Sequence, residues 1–181
     1  MAVQLDISTT PFRRGRNRLW QPALAALLLL IAGGETAKAD TATGLIYMKQ
    51  GLYIRALIEF EAPAKAGDPV AEANIGAIYH YGMGVSANFA KAVPYYHAAA
   101  LQGNIDAQLG LAVLYTTGKG VPPSFPIARM WLSIAAEEMP PSPDRIRVTE
   151  TRDAIALKMS AEELKESDEL IAAWYARHTA P

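Results

Sequence analysis

Gly67-Asp68-Pro69-Val70-Ala71-Glu72 returns 36 residues later as Gly103-Asn104-Ile105-Asp106-Ala107-Gln108. Tyr79-His80-Tyr81-Gly82-Met83-Gly84-Val85 returns at the same offset as Tyr115-Thr116-Thr117-Gly118-Lys119-Gly120-Val121. The register also aligns Tyr53 with Phe89 and Phe125, and Ala56 with Ala92 and Ala128. A fixed period of this length marks stacked supersecondary units, each too small to bury its apolar face alone. The expected fold class is all-α: a solenoid of antiparallel helix pairs closed by a C-terminal capping helical hairpin. In such a fold, function is sought on a surface.

Each junction carries readable chemistry. Gly67 and Gly103 fall where one helix ends, and glycine accepts the left-handed conformation that closes a helix. Asp68 and Asn104 follow as N-caps, and Pro69 takes the first helical position, where a missing N–H costs nothing. The partner helix ends at Gly82 and Gly118. Gly84 and Gly120 come two residues later, then Val85 and Val121, which can fold back onto the helix pair. Asn88 and Ser124 cap the next helix. These signals place helices over 53–66, 69–81, 89–102, 105–117 and 125–139, with a short one over 41–49. Pro63 and Pro94 lie inside two of them. Each deletes one backbone bond and is expected to bend its helix without ending it.

The periodicity stops after Glu138. Met139-Pro140-Pro141-Ser142-Pro143 reads as a stiff connector, Asp144 to Met159 as one helix, and Ser160 with Glu163 as a capping box opening a last helix to about Arg177. The acidic and basic side chains from Glu162 to Glu169 suit the polar outer face of a terminal cap, with Leu164, Ile171 and Trp174 facing inward. The domain boundaries are therefore 1–39, a leader; 40–139, the solenoid; 140–143, the connector; and 144–177, the capping helices.

The 181 residues are 51% hydrophobic and 19% charged, which argues against disorder. A net charge of -1 argues against nucleic acid as a partner. The charge is uneven, because Arg13, Arg14, Arg16, Arg18 and Lys38 outnumber Asp6 and Glu35 among residues 1–39. Four arginines, the unbroken apolar run Pro22 to Ala32, the Gly33-Gly34 break and the small residues of Ala37-Lys38-Ala39 read as a signal peptide cut after Ala39. The run is short for a membrane span, which needs about 20 apolar residues, although a retained anchor is the alternative. The expected location is periplasmic or secreted, with no stable span once the signal is removed. There is no cysteine, hence no disulfide framework, no thiolate ligand and no cysteine nucleophile.

The strings Gly67–Ala71, Tyr79–Val85, Lys91–Ala100, Gly103–Ala107, Tyr115–Val121 and Ala128–Ala136 together resemble the Sel1-like repeat family, relatives of the tetratricopeptide repeats. Arg152-Asp153-Ala154 and Met159 to Leu164 look like the cap often seen in bacterial members. The resemblance covers about residues 51–175. It implies a TPR-like superhelix that scaffolds other proteins, and exported bacterial members are similar to regulators and assembly factors of the cell envelope. A cysteine-rich secreted branch has been linked to penicillin binding and β-lactam hydrolysis. Its disulfides have no counterpart here.

No Ser-x-x-Lys, Gly-x-Ser-x-Gly, His-Glu-x-x-His or phosphate-cradling Gly-x-x-x-x-Gly-Lys string occurs, so no catalytic, cofactor-binding or metal residues are assigned. His80 and His97 occupy different repeat phases, and His178 falls in the C-terminal tail. The candidate partner-binding residues form two rows. Glu59, Tyr95 and Trp131 share one phase, where aromatic side chains either anchor a partner or fill the core. Arg55 and Lys91 share another, as a weak basic stripe or a solvated face. The expected activity is that of a non-enzymatic adaptor holding a protein or peptide partner in the envelope. A regulator of exopolysaccharide or envelope signalling that binds a sensor protein is the alternative, and a β-lactam or cell-wall hydrolase a more distant one. Oligomeric state and partner identity have no sequence signal.

Overall fold

The computed structural model describes residues 41–178, and every regular element among them is helical. α1 covers residues 41–49. It is followed by α2 (Tyr53–Lys65), α3 (Pro69–Tyr81), α4 (Phe89–Leu101), α5 (Ile105–Thr117), α6 (Phe125–Glu138), α7 (Pro143–Ala156) and α8 (Ala161–His178). The expected leader and its cut after Ala39 lie outside the described residues. The helices match the expected spans to within a residue or so, except at the C-terminal end. There α7 begins at Pro143, with the Ser142 hydroxyl accepting from Arg145 N, and stops at Ala156 rather than continuing to Met159. The chain tightens at that point: Lys158 N donates to Ile155 O and Met159 N to Ala156 O, which closes the turn ahead of the Ser160 cap. α8 runs on through His178, so this residue belongs to a helix and not to a tail.

The caps form as the residue types dictate. Asp68 accepts from Val70 N at 2.8 Å and Ala71 N at 3.3 Å, Asn88 from Lys91 N at 2.9 Å, and Asn104 from Ala107 N at 3.0 Å. Ser160 and Glu163 close their reciprocal box at 2.8 and 3.1 Å. Gly82 and Gly118 end their helices in the left-handed region, each with φ of 67°. Gly120 (φ 76°) is held hardest, since a Cβ there would lie 2.6 Å from the carbonyl carbon of Phe89, in the first turn of α4. Neither Pro63 nor Pro94 ends its helix. The carbonyl of Pro63 accepts from both Ala66 N and Asp68 N, so the proline helps to close the end of α2.

Packing repeats along with the sequence. Consecutive helices pack on one another from α2 to α7, and α3 also meets α5 directly, so these two lie side by side in one layer. Ala56, Ala92 and Ala128 are fully buried, as are Ala99, Ala135 and Ala100. Between the layers sit Phe60, Tyr96 and Leu132, which occupy one repeat position. Tyr96 lies between two glycines: a Cβ at Gly76 would come within 2.6 Å of its ring, and one at Gly110 within 2.8 Å. Phe60 lies on Gly44 in the same way. The third member, Leu132, is smaller and shares its packing with Ala112, the repeat counterpart of Gly76. Ring size and backbone clearance vary together, as close packing requires.

Gly44 is 32 residues before Gly76, not 36. Residues 50–52 join α1 to α2, whereas 82–88 join α3 to α4, and the four missing residues account for the difference. α1 and α2 are thus a further unit of the same kind with a shortened turn. A second pattern links α3 to α4 and α5 to α6. Gln102 Nε2 donates to Glu72 Oε2 at 3.1 Å, and Gln108 Nε2 donates to Glu138 Oε2 at 2.9 Å. The two positions are one period apart, with carboxylate and amide exchanged. Burial, with the Asp68 carboxylate nearby, raises the Glu72 pKa, and the Gln102 bond opposes that rise.

The cap is fastened by polar side chains. Arg129 donates to Ser167 Oγ at 3.0 Å and to Asp168 Oδ1 at 2.7 Å, while the Tyr175 hydroxyl donates to Glu137 at 2.7 Å. Residue numbers rise together on both helices, so α8 runs parallel to α6 and covers its outer side. Trp174 is buried there, and Leu164 and Ile171 are half-buried.

Candidate protein-binding surface

The row of Glu59, Tyr95 and Trp131 falls into three environments. Glu59 is half-buried. Tyr95 is half-buried and stacks on Tyr79 with ring centroids 6.3 Å apart. Its phenol pKa is raised by burial, then by Tyr79 and the carboxylates of Glu61 and Glu72. Trp131 is 3% exposed and meets Trp174 edge-to-face at 5.2 Å, so α8 turns this member of the row into core. Its edge reaches the floor of a groove of about 370 Å³ with His97, Leu101 and Trp174. The row is not a continuous line of exposed anchors.

Arg55 and Lys91 are both exposed, and each lies over an aromatic ring. The Arg55 guanidinium is 5.9 Å from the centre of Tyr47, and the Lys91 ammonium 5.3 Å from that of Tyr79. Tyr47 and Tyr79 are equivalent once the shortened turn is allowed for. The stripe is a repeated cation–π contact that covers the edge of each helix pair, worth about 0.5–1 kcal/mol at an exposed site.

A second surface lies on the other layer. Between α3 and α5 runs a groove of about 340 Å³ whose floor is the ring of Tyr96. Ala73, Ala77 and Gly110 keep it shallow enough for a main chain to approach. Tyr81, 67% exposed, forms one side and Val113, 47% exposed, part of the other. Asn74 also lines the groove, with its Nδ2 donating to Val70 O at 2.7 Å. Asp106 stands at the first turn of α5. A second groove of about 320 Å³ continues between α5 and α7, bordered by Val113, Thr116, Thr117, Thr151 and Lys158. None of these groove residues is among the binding candidates that the sequence pattern offers. Tyr81 and Val113, apolar residues at positions the helical pattern turns to solvent, were the available signal.

The histidines are dispersed. His80 is 8% exposed, stacked on Tyr81 at 4.4 Å, edge-on to Phe89 and Tyr96, with Nδ1 3.4 Å from the Tyr96 hydroxyl. Burial lowers its pKa, and Lys119 lowers it further. Burial is also the largest cause of the rise in the Tyr96 phenol pKa, followed by Tyr81 and Asp106. His97 is exposed and edge-on to Trp131, and His178 stacks on Trp174. Among the described residues no group of three or more histidine, aspartate or glutamate side chains is placed to hold a metal ion. No described helix is long and apolar enough to cross a membrane.

Stacked helix pairs with a small-residue groove on one layer define a helical-repeat protein. Residues 69–104 and 105–138 each match the family model for the Sel1 repeat. Protein sel-1 homolog 2 from Homo sapiens is 30% identical over 120 residues, and its Mus musculus counterpart 40% over 120 residues. Each alignment takes in 62% of this chain and 17% of the relative, so the chain spans about a sixth of the length of these relatives. A protective antigen present in uropathogenic Escherichia coli strains, displaying an SLR fold, superposes with a TM-score of 0.69 at 26% identity, over 77% of this chain and 30% of that one. A Sel1 repeat protein from Oxalobacter formigenes superposes with a TM-score of 0.58 at 25% identity, over 74% and 55% of the two chains. The chain is a Sel1-like repeat protein. Proteins of this family are generally protein-interaction scaffolds, typically without catalytic activity.

Proposed function

We propose that this chain is an exported adaptor of the bacterial cell envelope that holds a protein partner along the face formed by α3, α5 and α7. The observation that carries this reading is the Tyr96-floored groove, with Tyr81 and Val113 exposed on either side of it. Apolar surface of this kind, set among small residues on a rigid helical scaffold, favours binding because little has to be ordered when the partner arrives. The basic leader, apolar run and Ala37-Lys38-Ala39 site support export. The absence of a local catalytic string supports a role in assembly over one in chemistry.

The test is site-specific photocrosslinking in intact cells. A photoreactive residue at Val113 should capture a discrete protein partner, while the same residue at Lys65, on the far end of α2, should not. Recovered chain should begin at Asp40 by N-terminal mass spectrometry. Equal capture from both positions, or none from Val113, would remove the adaptor reading. An intact N-terminus on envelope-associated protein would remove the cleaved-signal reading.

A further inference from the structure

We infer, resting on the reading that the α3–α5–α7 face binds a protein, that its occupant is an extended segment carrying a basic residue over Asp106, an acidic residue toward Lys158, and an apolar residue between them on Val113. The two grooves meet at Val113, which borders both. Among the described residues lining the first, Asp106 alone is charged; among those lining the second, Lys158 alone is charged. The surface is therefore polarised along its length, acidic at one end and basic at the other.

α5 sets the order of these positions. Asp106, Gly110, Val113 and Thr117 recur at three- and four-residue spacing and so form one stripe down the helix. From Asp106 to Thr117 the rise is about 16 Å at 1.5 Å per residue. An extended chain covers that in roughly five residues at about 3.3 Å each. Gly110, Ala73 and Ala77 bring the groove wall down to backbone level, and the Asn74 Oδ1 can accept from a main-chain N–H. Tyr81 offers ring surface to a side chain entering the first groove, while the threonine hydroxyls of the second, which donate to Ala112 O, Val113 O and Arg147 O of their own helices, can accept from main-chain N–H groups. A phosphate-bearing partner meets a carboxylate at Asp106. A segment with its own base and acid in this order satisfies both ends, and complementarity of this kind fixes direction more than it adds affinity.

A random peptide library displayed on phage, selected on the full chain and on its variants, tests this. The wild-type chain should enrich peptides with a lysine or arginine on one side of an apolar residue and an aspartate or glutamate on the other. Asp106→Lys should replace the enriched base by an acid, Lys158→Glu should replace the acid by a base, and the two together should enrich the reversed order. Peptides selected on the wild type should lose about tenfold in affinity on either single reversal, which corresponds to about 1.4 kcal/mol. Val113→Arg, which fills the point where the grooves meet, should abolish selection. Both charged residues are exposed, so their reversal leaves the core untouched. Selected peptides that bind all charge variants within about twofold, but not Val113→Arg, would overturn the charge assignment and leave the groove standing. Peptides that still bind Val113→Arg, or no enrichment at all, would overturn both.

Discussion

Gly76→Ala is expected to destabilise this protein by itself and to stabilise it once Tyr96 has become leucine. Alanine in a helix interior is better than glycine by about 1 kcal/mol, so with no steric conflict the change is favourable. Here the new Cβ would lie 2.6 Å from the Tyr96 ring, well inside the roughly 3.5–4.0 Å of an optimal carbon contact. The ring would have to retreat by about 1 Å, and α5 blocks it at Gly110 on its other side. Overpacking of this sort costs about 1–3 kcal/mol, which leaves a net loss of about 1 kcal/mol and a melting point lower by roughly 2–4 °C. Tyr96→Leu alone costs about 2–4 kcal/mol for the volume removed. In that background the methyl added by Gly76→Ala meets no ring, as Ala112 and Leu132 already demonstrate one period on, and the gain of about 1 kcal/mol reappears. The pair should therefore couple by about 2 kcal/mol, measured by urea unfolding of the four proteins followed by far-UV circular dichroism. The same effect of Gly76→Ala in both backgrounds would show that the ring is not held between the two glycines.

The turn glycines should separate in the same assay. Gly67→Ala meets open space at a φ of 84° and should cost about 1–2 kcal/mol, whereas Gly120→Ala strikes the Phe89 backbone and should cost about 3 kcal/mol or more; equal losses would mean the turn yields freely. His80 should give stability an acid-sensitive component. Its folded pKa lies below the unfolded value near 6.5, so this contribution is complete above that pH and is lost as pH falls toward the folded value. Wild type should lose more melting temperature between pH 7 and pH 5 than His80→Phe, and parallel pH curves would count against a buried neutral imidazole.

The caps and helix spans were legible because they depend on residues within a few positions of each other. Asp68 caps its own helix whatever lies across from it, and the Gly-x-Gly turns constrain φ locally. What the sequence concealed was contact between units. Gly110 aligns with Asn74, not with Gly76, so no row pointed to its place behind the Tyr96 ring. Tyr47 lay out of register with Tyr79 because of the shorter turn at 50–52, which hid the repeated cation–π contact of Arg55 and Lys91. Trp131 shares a phase with Glu59 and Tyr95, but only α6 is covered by α8. A helix outside the repeat thus changes what an equivalent position does, and periodicity alone carries no trace of it.

The exchange of Glu72–Gln102 for Gln108–Glu138 gives each level of the stack its own address. In a misassembled chain that seated α3 against α6, Glu72 would confront Glu138. Two carboxylates in one half-sheltered place would oblige one of them to take up a proton. Neighbouring units otherwise so alike are thus told apart by which side of the contact bears the charge, a safeguard against mispaired hairpins.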